Sequence, residues 1–110
     1  MAYTLVKRNK IAVNVKGTLP DEDGKPVPFD FKLHCKRLSQ DEIDNAMKNR
    51  KGEVKGFIRE VAQGWAGVLD ELGAALPFST DALDEQINEP GMPVLIMQAY
   101  LEQVSATAKN

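Results

Sequence analysis

The chain carries one cysteine and one histidine among its 110 residues. A single cysteine makes no intramolecular disulfide, which fits a reducing compartment. A zinc site needs three or four soft ligands, and His34 and Cys35 are too few. The net charge of −2 gives no global pull towards nucleic acid or an anionic membrane. Long apolar runs are missing too. Val94-Leu95-Ile96-Met97, near the C-terminus, is far short of a membrane span. Met1 to Arg8 has no signal-peptide core, so the expected location is the cytosol.

What is present suits an ordinary globular protein, 43% hydrophobic and 27% charged, so wholesale disorder is not expected. The length predicts a single domain over 1–110 with flexible ends at 1–10 and 105–110. Ile11, Val13, Val15 and Leu19 keep one phase of a period-two pattern. Val27, Phe29, Phe31, Leu33 and Cys35 keep another. Alternation of this kind puts one face in a core and the other in water. The turn-rich Pro20-Asp21-Glu22-Asp23-Gly24-Lys25-Pro26 between them predicts an antiparallel hairpin over 11–37.

From Leu38 the period changes, and a helical part is predicted over 39–104. Ser39 and Glu42 have capping-box spacing, with Leu38 and Ile43 as a hydrophobic staple. That short polar helix should end between Asn49 and Gly52. Val54, Phe57, Ile58, Val61, Ala62 and Trp65 then fall on one helical face, predicting a second helix that covers the hairpin. Gly73 to Pro77 reads as a connector. Ser79 caps a third helix with Phe78 and Leu83 as its staple, and Asn88-Glu89-Pro90-Gly91 stops it. Pro93 opens a final helix with a stripe at Val94, Met97, Tyr100, Leu101 and Val104. The predicted class is α+β: an N-terminal β-hairpin packed against three to four short helices.

No catalytic set emerges, and no enzyme activity is expected. His34 and Cys35 are neighbours on a strand, so they point to opposite faces and cannot meet as base and nucleophile. Asp21-Glu22-Asp23-Gly24 lacks calcium-loop spacing, with Leu19 where a carboxylate is needed. The pairs Asp70-Glu71 and Asp84-Glu85 have no partner acid and read as solubilising surface. Lys48, Arg50, Lys51, Lys55 and Arg59 form a basic cluster without interleaved aromatics, which favours a solvated face over nucleic-acid binding. No cofactor or metal is expected.

The segment Gly64-Trp65-Ala66-Gly67-Val68-Leu69-Asp70-Glu71-Leu72-Gly73-Ala74-Ala75-Leu76-Pro77-Phe78-Ser79 has a distinctive order. A tryptophan is followed by Gly-Val, an acidic pair, a glycine and Leu-Pro-Phe-Ser. Glu89-Pro90-Gly91 and a helix with Ala99-Tyr100-Leu101-Glu102 come later. With the capped Leu38-Ser39 helix before it, this pattern resembles the tail assembly chaperones of long-tailed bacteriophages. The resemblance implies a partner, the long helical tape measure protein, kept soluble in the host cytoplasm until the tail tube protein polymerises around it. It also implies self-association on the client; the charge and the short apolar runs separately point away from a membrane or a nucleic acid as partner.

The physical reading of the segment leaves two roles open. Trp65, Val68, Leu69, Leu72, Leu76 and Phe78 either close the small core or form an apolar patch that binds a partner helix. Two other functions also stand beside the chaperone. One is a structural tail or head-tail joining protein of the virion. The other is a small nucleic-acid-binding regulator. The Lys109-Asn110 end reads as an ordinary polar tail, with a longer form made by frameshifting on an adenine run as the alternative.

Overall fold

The two period-two segments pair in register in the computed structural model, which describes residues 2–50 and 53–108, and of residues 49 and 50 only the backbone. Lys109-Asn110, and Gly52 at the expected end of the first helix, lie outside the described residues. Strand β1 (Lys10–Pro20) runs antiparallel to β2 (Pro26–Lys36), with Val13 opposite Leu33 and Val15 opposite Phe31. Val13, Val15, Leu33 and Cys35 are buried and the even-numbered positions of both strands are exposed, as the alternation predicts, whereas Val27, in the buried phase, is exposed beside the turn.

Burial pushes the Cys35 thiol up to about 12. Because the folded state holds this proton more tightly, its stability contribution is complete below about pH 9 and is lost as the pH climbs towards about 12. Urea titrations across that window should show the loss in the native chain, and Cys35→Ala should remove this component of it.

The sequence expectation of one unbroken helix from Val54 to Trp65 is corrected by the structure. Helix α1 (Gln40–Arg50) is followed by α2 (Val54–Val61), which stops at an extended Ala62, ψ 131°. Strand β3 (Ala62–Ala66) then pairs antiparallel with β2, Leu33 opposite Trp65 and His34 opposite Gly64. The stretch 39–104 is therefore not wholly helical. Leu33 and Cys35 are buried, so the outer backbone groups of β2 would otherwise lie unpaired beside the core. A glycine inside a helix costs about 1 kcal/mol, and Gly64 weakens the helical alternative where the strand is needed.

Helix α3 (Thr80–Ile87) and helix α4 (Met92–Val104) complete an α+β fold of three strands and four helices among the described residues, with sheet order β1-β2-β3. The helix starts are as predicted. Ser39 Oγ accepts from Glu42 N at 3.2 Å and Glu42 Oε1 accepts from Ser39 N at 3.0 Å. Ser79 Oγ accepts from Ala82 N at 3.0 Å. No helix of the described residues is long and apolar enough to cross a membrane.

Helix α4 differs from its predicted stripe. It buries Met92, Ile96, Tyr100 and Val104, a row at four-residue spacing, while Val94 is exposed. The reason is its position: α4 lies along β1 and packs against α2 and α3, so these neighbours set the buried face. The second helix was expected to lay its apolar face on the hairpin within a set of three to four helices, and α4 lies along β1 as part of that set. Gly17 permits the approach, since a Cβ there would stand 2.9 Å from Leu95 Cδ2. Gln103 also closes the free edge of β1. Its side-chain amide accepts from Asn14 N at 2.8 Å and donates to Asn14 O at 2.7 Å, as a neighbouring strand would.

Tyr100 ties helix to sheet. Its hydroxyl donates to Lys36 O at 2.8 Å and accepts from Leu38 N at 3.0 Å. Tyr100→Phe keeps the ring and strands both backbone groups. Urea denaturation should show a loss of about 1–2 kcal/mol.

Candidate functional site

Beyond β3 the chain makes a small hairpin that sequence patterning did not predict. Gly67, φ 86°, turns it tightly over β2, with Phe31 Cα 3.5 Å from where a Cβ would sit. Leu76 N then donates to Val68 O at 2.9 Å, and Leu69 bridges to Ala75. Asp70 organises the tip. Its amide donates to Ala74 O at 2.8 Å and its carbonyl accepts from Gly73 N at 3.0 Å. Its carboxylate Oδ1 accepts from Leu72 N at 2.9 Å and Ala74 N at 3.0 Å.

The same turn occurs at the end of β1. Asp21 N donates to Lys25 O at 2.9 Å, and Asp21 O accepts from Gly24 N at 3.0 Å. Asp21 Oδ1 accepts from Asp23 N at 2.8 Å and Lys25 N at 2.9 Å. Gly24 and Gly73 both sit at positive φ, 81° and 83°, the left-handed position this turn requires. The two sequences are Asp-Glu-Asp-Gly and Asp-Glu-Leu-Gly. This twin spacing was the signal for Asp70 as a turn builder, a role the solubilising-surface expectation for Asp70-Glu71 missed.

The twin turns differ at their third residue. Asp23 is the polar residue expected at an exposed tip, and Leu72 stands in its place with 93% of its surface exposed. Leu69 beside it is 60% exposed. Turn geometry therefore does not call for Leu72, and exposing a leucine forgoes about 1.5–3 kcal/mol of burial.

The six candidate residues separate into two groups. Trp65, Val68 and Phe78 are half-buried against the core, and Leu76 is half-buried at the base of the small hairpin. Trp65 Nε1 donates to Leu76 O at 2.8 Å, and the Trp65 and Phe78 rings meet edge to face at 5.1 Å. These contacts fix the hairpin to the body. Leu69 and Leu72 are the pair held out in water. Core closure and presentation are thus divided within one segment.

The basic cluster is partly consumed by α3. Arg59 Nε pairs with Asp84 Oδ1 at 2.6 Å, and Lys55 Nζ donates to Asn88 Oδ1 at 2.9 Å. Lys51 and the Arg50 side chain lie outside the described residues. His34 is exposed and Cys35 buried, on opposite faces of β2.

Comparison with protein-family models, curated proteins and solved structures gives no match.

Proposed function

We propose that this chain is a tail assembly chaperone of a long-tailed bacteriophage, acting in the host cytoplasm on the tape measure protein. One observation carries the reading. Leu72, with Leu69 beside it, is exposed on a turn stiffened by four hydrogen bonds, and the twin turn carries Asp23 in the place of Leu72. A rigid apolar projection binds without the entropy cost of ordering a loop. Its complement is an apolar helix face, and a long helical client offers many of these. The motif order from Leu38-Ser39 to Tyr100-Leu101-Glu102 supplies the family.

The proposed mechanism is masking, with no bond made or broken. Copies of the chaperone cover apolar faces of the client until tube protein replaces them. Co-expression with the tape measure protein tests this. Soluble client that co-purifies with the chain supports the reading, and client that stays insoluble with nothing bound refutes it. Mass spectrometry of finished particles separates a chaperone, which should be missing, from a structural tail or joining protein, which should be present.

A further inference from the structure

The sheet has a second face that the helices do not cover. Every even-numbered position of β1 and β2 is exposed. Paired across the strands, these positions read Lys10–Lys36, Ala12–His34, Asn14–Lys32, Lys16–Asp30 and Thr18–Pro28. Four lysines stand against one aspartate, on a chain whose net charge is −2. None of the four is in an ion pair among the described residues. Glu42 at the start of α1 feels Lys7 and Lys36, and no carboxylate stands opposite Lys10 or Lys32 in the strand pairing.

Lys10 opposite Lys36 is the informative pair. Like charges directly opposite each other destabilise a sheet. This pair is also of the close kind. Asn9 O accepts from Arg37 N at 2.8 Å, and Asn14 turns its backbone groups outward to Gln103. The hydrogen-bonding phase therefore places Lys10 and Lys36 at a non-hydrogen-bonded site, where side chains approach most. Folding gains nothing from such a pair, whereas an anionic ligand would relieve it.

The shape narrows the ligand. β3 adds Gly64 beside His34 and Ala66 beside Lys32, so Ala12 on one side and Gly64 and Ala66 on the other make a low shelf flanking the central His34 and Lys32. Three strands about 4.8 Å apart make a platform on the order of one helix diameter across. Strand addition is disfavoured. Gln103 occupies the β1 edge, and β3 is 5 residues long with a register irregularity opposite His34 and Cys35. Nucleic acid fits poorly as well. The exposed positions of β1 and β2 carry a single ring, the His34 imidazole, where a track of bases needs several, and no arginine fork for phosphate.

We infer that this open face is a docking surface for an acidic amphipathic helix of a partner protein, laid across the shelf with its carboxylates towards Lys10, Lys32 and Lys36. Such a helix adds a third layer to a sheet now covered on one side. Binding here requires nothing of the small hairpin at 68–76.

The test uses the full chain and a synthetic helical peptide with glutamates along one face and alanine and leucine elsewhere. Amide NMR shifts at low salt should cluster at Ala12, Lys32, His34, Gly64 and Ala66. The K10E/K32E variant should bind about tenfold more weakly while melting no lower than the native chain, since a carboxylate at position 10 would face Lys36 as an opposite charge. Shifts confined to the helices or to the 68–76 hairpin would overturn the inference. So would unchanged affinity in the variant, or equal binding of a twin peptide with lysine for glutamate. Tighter binding of duplex DNA would assign the face to nucleic acid instead. Shifts that grow with protein concentration alone would assign it to a second copy of the chain.

Discussion

Leu72→Asp is expected to leave the melting temperature unchanged and to weaken tape measure binding by roughly 10- to 100-fold. The residue introduced is the one the twin turn already carries at Asp23, with the same Asx hydrogen bonds and the same glycine after it. Its compatibility with the backbone is therefore built into the molecule. Leu72 is almost fully exposed, so its loss removes little folded-state packing. The loss falls on whatever the leucine enters in a partner. Pull-down of co-expressed client, with circular dichroism as the control, measures both. Retained binding with retained fold would remove Leu72 from the interface. Trp65→Ala and Phe78→Ala should behave differently. They remove the edge-to-face ring pair and, for Trp65, the bond to Leu76 O, so fold and binding should fall together.

Phe57→Ala is expected to have the largest effect on stability, a loss of about 3–5 kcal/mol. Phe57 is 1% exposed and meets Tyr100 edge to face at 5.5 Å. It sits where α2 joins α4, so truncation opens a cavity at the contact that holds both helices over the sheet. A domain of this size has about 5–15 kcal/mol in total. The variant should therefore be marginal at 37 °C, and urea unfolding would place its midpoint far below that of the native chain. A loss under about 1 kcal/mol would mean that the site collapses around the missing ring.

The site was legible in part. Trp65, Leu76 and Phe78 were expected to act together, and the structure brings them into contact. Val68 sits at the base of the same hairpin. The sequence does not distinguish their half-buried positions from the exposure of Leu69 and Leu72, because all six are apolar residues in one glycine-rich stretch. Exposure depends on where the hairpin leaves the body, and that is set by Gly67 against Phe31. The basic cluster was legible as charge and illegible as pairing, since Arg59 and Asp84 are 25 positions apart.

Local chemistry by itself determined the β1–β2 hairpin, the inward thiol of Cys35, the Ser39 and Ser79 helix starts and the stop of α3 before Pro90. Each depends on side chains within a few residues of one another, or on a period that one strand imposes on itself. Tertiary structure alone decided three other features. β3 is a strand because β2 has backbone groups to satisfy, although its own residues continue a helical stripe. α4 buries Met92 and Ile96 and exposes Val94 because β1, α2 and α3 choose which face is covered. The even-numbered face of the sheet stays open because α4 lies along β1 on the opposite side, where Gly17 meets Leu95. In each case the deciding partner is distant in sequence, and neither periodicity nor capping carries information about it.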